Sequence, residues 1–111
     1  LTLSPETGKD EFMVSLPELL DRELDNASLN VEMITTYMAI SRIQLHRKVK
    51  SISGKSINQY IREYRLEKAR LMLLSNSKNV SEVCYEVGFA QPSYFAARFK
   101  EYFGYLPSEN R

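Results

Sequence analysis

A repeat constrains this chain more than anything else in it. Asn30 to Ser41 reads NVEMITTYMAIS and Asn79 to Ala90 reads NVSEVCYEVGFA, an offset of 49 residues. One further residue then enters and the offset becomes 50, so that Leu45 matches Phe95, Val49 matches Phe99, Lys50 matches Lys100 and Gly54 matches Gly104. A helix, a short turn and a second helix closed by glycine therefore occur twice. This is the plan of a helix-turn-helix used in tandem.

The rest of the chain reads as helix too. Four Gly, four Pro, no Trp and no run of alternating β-branched residues argue against a sheet protein. Residues 1–10 carry Thr, Ser, Pro, Gly and charges without a period and read as a linker or lead-in, with the domain proper over 11–111. Leu16, Leu19, Leu20 and Leu24 form a helical stripe. Ser15 with Glu18 supplies a capping box and puts Pro17 in the first turn, whereas a start nearer Asp10 puts Pro17 in the interior. Asn30 is an N-cap for a helix with Val31, Ile34 and Met38 on one face. Ser41 with Gln44 opens the next, which holds Leu45, Val49 and Ile52 and ends at Gly54.

Ser56 with Gln59 opens the longest helix, expected over 56–76, with Ile57, Tyr60, Ile61 and Tyr64 in period. At about 1.5 Å per residue it spans roughly 30 Å. Asn79 caps a fifth helix with Val80, Val83 and Val87 inward, and Gly88 turns the chain. Pro92 starts the sixth, whose inner face is Phe95, Phe99 and Tyr102, and Gly104 and Pro107 stop it. A short seventh helix is expected at the end, where Arg111 closes the sequence. The expectation is an all-α, homeodomain-like fold of about seven helices, with helix-turn-helix units over about 30–54 and 79–104 joined by the long helix.

Charge is distributed unevenly along this plan. Residues 1–33 hold eight acids and two bases, a net of −6, and residues 34–111 hold six acids and thirteen bases, a net of +7. The repeats are basic, as phosphate contact requires. No stretch approaches eighteen apolar residues, and no signal peptide is evident, so the fragment is expected to make no membrane contact. The first residue is Leu, which suggests a piece of a longer protein. The lone Cys84 cannot form an intrachain disulfide, suits a reducing cytoplasm, and sits where Val80 and Val87 would bury it.

At 100° per residue around Leu45, the opposite face of the third helix holds Ile43, Arg47 and Lys50, with His46 at its edge. In a major groove Arg47 can take a guanine edge with two hydrogen bonds, Ile43 a thymine methyl, and His46 a base or a phosphate. Lys50, late in the helix, and Arg42, near its start, suit phosphate. On the sixth helix the outward face holds Ser93, Ala97 and Lys100, with Ala96 and Gln91 at the margins and Arg98 toward the flank, placed for phosphate. This second face is poorer in hydrogen-bonding groups, because nothing on it matches Arg47. Paired helices enter successive grooves about 34–36 Å apart, a spacing the long helix suits.

Catalysis has no footing. There is no Gly-rich phosphate loop and no nucleophile with an evident base, and His46, the single histidine, has no partner at metal-ligand spacing. No cofactor is expected. Glu63 and Glu67, among Arg62, Arg65, Lys68 and Arg70, read as surface ion-pair partners. A rival to DNA reading is a protein-interaction module whose basic face docks an acidic partner or a receiver domain.

The runs SRIQLHRKVKSISGKSINQYIREYRLEKARLML and VSEVCYEVGFAQPSYFAARFKEYFGYLPSENR resemble the DNA-binding domain of the AraC/XylS transcription regulators over roughly residues 28–111. The motifs are Gly88-Phe89, Ser93 to Phe95, Phe99-Lys100 and the ending at Pro107. The resemblance implies seven helices with two helix-turn-helix units. It also implies a bacterial, sequence-specific regulator of double-stranded DNA, usually an activator that meets RNA polymerase, under a regulatory domain elsewhere in the chain. SRIQLHRKVKSISGKSINQYIR after an acidic first helix is similar to the version fused to hybrid two-component sensors, where a phosphorylated receiver is in control. The resemblance assigns base contacts to Ile43, His46 and Arg47 and, in the second unit, to Gln91, Ser93 and Ala97. A basic or polar residue is usual where Ala97 stands.

Overall fold

The computed structural model describes residues 5–75 and 77–110, and side chains from residue 11 onward. Among the described residues there are six α-helices: α1 (Pro5–Arg22), α2 (Val31–Met38), α3 (Arg42–Ser53), α4 (Ile57–Leu74), α5 (Val80–Glu86) and α6 (Pro92–Phe103). A single 3-10 turn, Pro107–Glu109, takes the place of a seventh helix. No strand occurs among the described residues. None of these helices is long and apolar enough to cross a membrane. The chain forms two compact units, one of residues 1–23 and 29–60, the other of residues 24–28 and 61–111, so that α4 begins in the first and continues in the second.

In the first unit α1 packs on α2, and α2 on α3. Phe12, Leu16, Leu19, Leu20, Ile34, Leu45, Val49 and Ile57 are buried. Local chemistry sets the helix ends. Asn30 Oδ1 accepts from Met33 N at 2.9 Å. Ser41 and Gln44 form a reciprocal box, each side chain accepting the other's backbone N–H at 3.0 Å. Gln59 N donates to Ser56 Oγ at 3.1 Å, opening α4.

The helix α1 differs from the sequence expectation. It starts at Pro5, upstream of both Ser15 and Asp10, and carries Pro17 in its interior, as the earlier of the two expected starts requires. The lead-in expected over 1–10 is therefore helical from residue 5, while residues 1–4 lie outside the described set. The apolar stripe runs further back than Leu16, to Phe12, one turn earlier and 6% exposed. Burying it offsets the backbone bond that Pro17 cannot make, a cost of about 3 kcal/mol. Leu24, assigned to the same stripe, lies beyond the helix and packs on the core of the second unit.

That core is Leu66, Ala69 and Leu73 from α4, Val83, Cys84, Val87 and Phe89 around α5, and Phe95 and Phe99 from α6. Asn79 and Glu82 box the start of α5, and Pro92 occupies the first turn of α6. The end of α4 falls at Leu74, and Asn76, expected to close it, lies outside the described residues, as does Arg111. Tyr102 was expected inward but is 37% exposed, its hydroxyl donating to Glu67 Oε2 at 3.1 Å. Phe103 takes the inner position instead, its ring 4.5 Å from that of Phe99 and 6.2 Å from that of Tyr105. The phenol of Tyr102 keeps its polar end on the surface, which a phenyl ring has no reason to do. Arg65 also departs from the expected surface pairing. It is 7% exposed and not a surface ion-pair partner, whereas Glu67 pairs with Arg70 at 3.5 Å. Three backbone carbonyls draw it inward.

Candidate nucleic-acid interface

Each unit presents the second helix of its pair. Leu45 and Val49 are fully buried, which turns the opposite side of α3 to solvent. Ile43 is 68% exposed there, an apolar side chain with no place in the core. Arg42, His46, Arg47 and Lys50 are exposed beside it. Lys50 is partly occupied, its Nζ donating to Gly54 O at 3.1 Å and capping the helix end. A shallow groove along one flank of α3 is lined by Gln44, Arg47, Lys48, Ser51 and Ile52. Lys48 Nζ lies 5.6 Å over the ring of Phe12, so that cation leans onto α1.

In the second unit Phe95 and Phe99 are the fully buried pair. Gln91, Ser93, Ala97 and Lys100 are exposed. Gln91 stands at the N-cap position of α6, but its side chain caps nothing. Arg98 is half-buried, with its guanidinium 5.4 Å over the ring of Tyr94 and Nη2 3.6 Å from Glu101 Oε2. Its Nε is buried without a partner. Tyr94, 48% exposed, belongs to this surface and went unassigned from sequence. The signal was its place one residue before Phe95, at the margin of the buried stripe.

The two turns share an unusual backbone. Ala39, after α2, has φ 56 and Gly88, after α5, has φ 88. A left-handed residue at matching positions ends the first helix of each pair and redirects the chain. Burial raises the thiol pKa of Cys84 in the second unit. No group of acidic, His and Cys side chains suited to a metal occurs among the described residues.

A family model described as a helix-turn-helix domain matches residues 34–111, most of the chain. The chain belongs to the AraC-type helix-turn-helix family. It is 30% identical over 92 residues to histidine kinase P4 of Formosa agariphila, covering 83% of this chain and 7% of that protein. It is 34% identical over 80 residues to the transcriptional activator RhaS of Escherichia fergusonii, covering 72% of this chain and 29% of that one. A crystal structure of an AraC-type transcriptional regulator from Chromobacterium violaceum superposes with a TM-score of 0.84 at 27% identity, covering 94% of this chain and 92% of that one. The AraC-type chain thus spans a small part of the length of these curated relatives. Membership places it among DNA-binding transcription regulators, with two-component proteins in its neighbourhood.

Proposed function

We propose that the chain reads specific duplex DNA through α3 and α6, each entering a major groove, and that it serves activation of transcription. The observation that carries this reading is the buried pair on each helix, Leu45 with Val49 and Phe95 with Phe99, which leaves the opposite face free in both repeats. Arg47 pairs with a guanine edge, Ile43 packs on a thymine methyl, and His46 donates to a neighbouring base. Gln91, Ser93 and Ala97 face bases in the second groove. Arg42, Lys50, Arg98 and Lys100 contact phosphate and set register.

The activator RhaS among its relatives supports the direction of regulation, and with it a contact to RNA polymerase. The histidine kinase relative supports a control domain of the two-component type elsewhere in the full protein. The test is binding to duplexes selected from random sequence, titrated with salt. Affinity should fall steeply, each neutralised phosphate adding about 0.9 to the log–log slope. A salt-insensitive interaction, or none with any duplex, overturns the reading in favour of an acidic protein partner.

A further inference from the structure

The turn of the second unit is held by a buried cation. Arg65, on α4, is 7% exposed. Its Nη1 donates to Gly88 O at 2.7 Å and Val87 O at 3.3 Å, and its Nη2 donates to Asn26 O at 3.0 Å. All three acceptors are backbone carbonyls. Two belong to the turn between α5 and α6, and the third to the connector of residues 24–28, which follows α1. The connector has its own brace, Ser28 N donating to Asn26 Oδ1 at 2.9 Å. A planar guanidinium can bridge two separate backbone segments in fixed directions, and an ammonium cannot reproduce that fork.

Gly88 is fitted to this clamp. A Cβ on it would lie 1.5 Å from Arg65 Nη1 and 2.4 Å from Leu24 O. Backbone, cation and connector therefore meet with no space for one more carbon. The carbonyls of Val87 and Gly88 stand only a few residues ahead of Pro92, where α6 begins. Their direction sets the direction in which the chain leaves α5.

We infer that Arg65 is the positioning residue of the second recognition helix, locking the α5–α6 turn to the 24–28 connector so that α6 is presented to DNA in one orientation. A displacement of the connector removes one arm of the clamp and loosens the turn. The inference rests on α6 meeting DNA.

The test compares this chain with Arg65→Lys and Arg65→Met by amide hydrogen exchange of the free protein and by footprinting on a selected duplex. Gly88 N donates to Tyr85 O at 3.1 Å and Phe89 N to Cys84 O at 3.0 Å, so these amides report the turn. In Arg65→Lys they should exchange about tenfold faster or more, as expected for a local opening, while the amides of Ala39 and Ile40 keep their rates. Footprint protection should weaken over the half-site of the second unit and persist over the first. Unchanged exchange at Gly88 and Phe89, or an equal rise throughout α5 and α6, overturns the inference. Should Arg65→Met fail to fold, Arg65→Lys still decides. Should the unsubstituted chain protect one half-site alone, the two-groove reading fails, and the exchange comparison still judges Arg65.

Discussion

Ala39 and Gly88 occupy matching positions in the two repeats and share a left-handed backbone, φ 56 and φ 88, yet only one of them could exchange its side chain freely. Ala39 is an exposed alanine in a conformation that costs an L-residue about 1–2 kcal/mol. Ala39→Gly should relieve part of that strain, raising stability by roughly 0.5–1 kcal/mol after glycine's greater unfolded-state entropy is offset. Thermal melting checks this, and a lowered melting temperature would contradict it.

The reverse change is not symmetrical. Gly88→Ala should destabilise by about 3 kcal/mol or more, and Gly88→Val by more still. Left-handed strain is joined by a collision with the Arg65 guanidinium and Leu24 O, and losing the carbonyl partners of a buried cation is costly. A melting temperature within a degree or two of the parent's would refute the clamp geometry.

On α3, Arg47→Ala should cost about 1–3 kcal/mol on the selected site and relax preference at one base pair. Lys50→Ala should weaken all sequences alike. It should also lower helix stability slightly, because Lys50 caps Gly54 O. A selected-site logo unchanged by Arg47→Ala would move the reading face elsewhere on the helix.

The two halves of the site should differ in sharpness. Where α3 offers Ile43, His46 and Arg47, α6 offers Gln91, Ser93 and Ala97, and its nearby arginine is engaged by Tyr94 and Glu101. An alanine gives a methyl contact at most, so the second half should be shallow and depend on backbone contacts and DNA bendability. Ala97→Arg should sharpen that half or shift its preference. Equal information in both halves, with no response to Ala97→Arg, would remove the asymmetry.

Cys84 gives a pH prediction with a definite sign. Burial raises its pKa above the ordinary thiol value, so folding disfavours the thiolate. The associated stability is fully present below the unfolded pKa and is lost as pH rises through the folded one. Stability should therefore decline in the alkaline range, and Cys84→Ala should reduce that decline. Burial also raises the pKa of Tyr60, which leaves a residual slope at still higher pH. Alkylation of Cys84 in the folded chain should be far slower than in denaturant, and equal rates would show that the thiol is accessible.

What was legible in the sequence is what local spacing encodes. Caps act across three residues, so Asn30, Ser41, Ser56 and Asn79 announce their helices. Buried faces recur at three and four residues, so Leu45, Val49, Phe95 and Phe99 stand out, and with them the exposed faces opposite. Comparison of the two repeats then marks Gly88 as a position for a small residue. The tertiary structure decided what distant segments decide. Arg65 lies in a charged run that reads as surface, and it becomes interior because carbonyls at positions 26, 87 and 88 converge on it. Leu24 leaves the stripe of α1 for another core, and Tyr102 is drawn outward by Glu67. A buried cation is tolerated only where its hydrogen bonds are made, and those partners, 22 to 39 residues away, leave no mark in the local pattern.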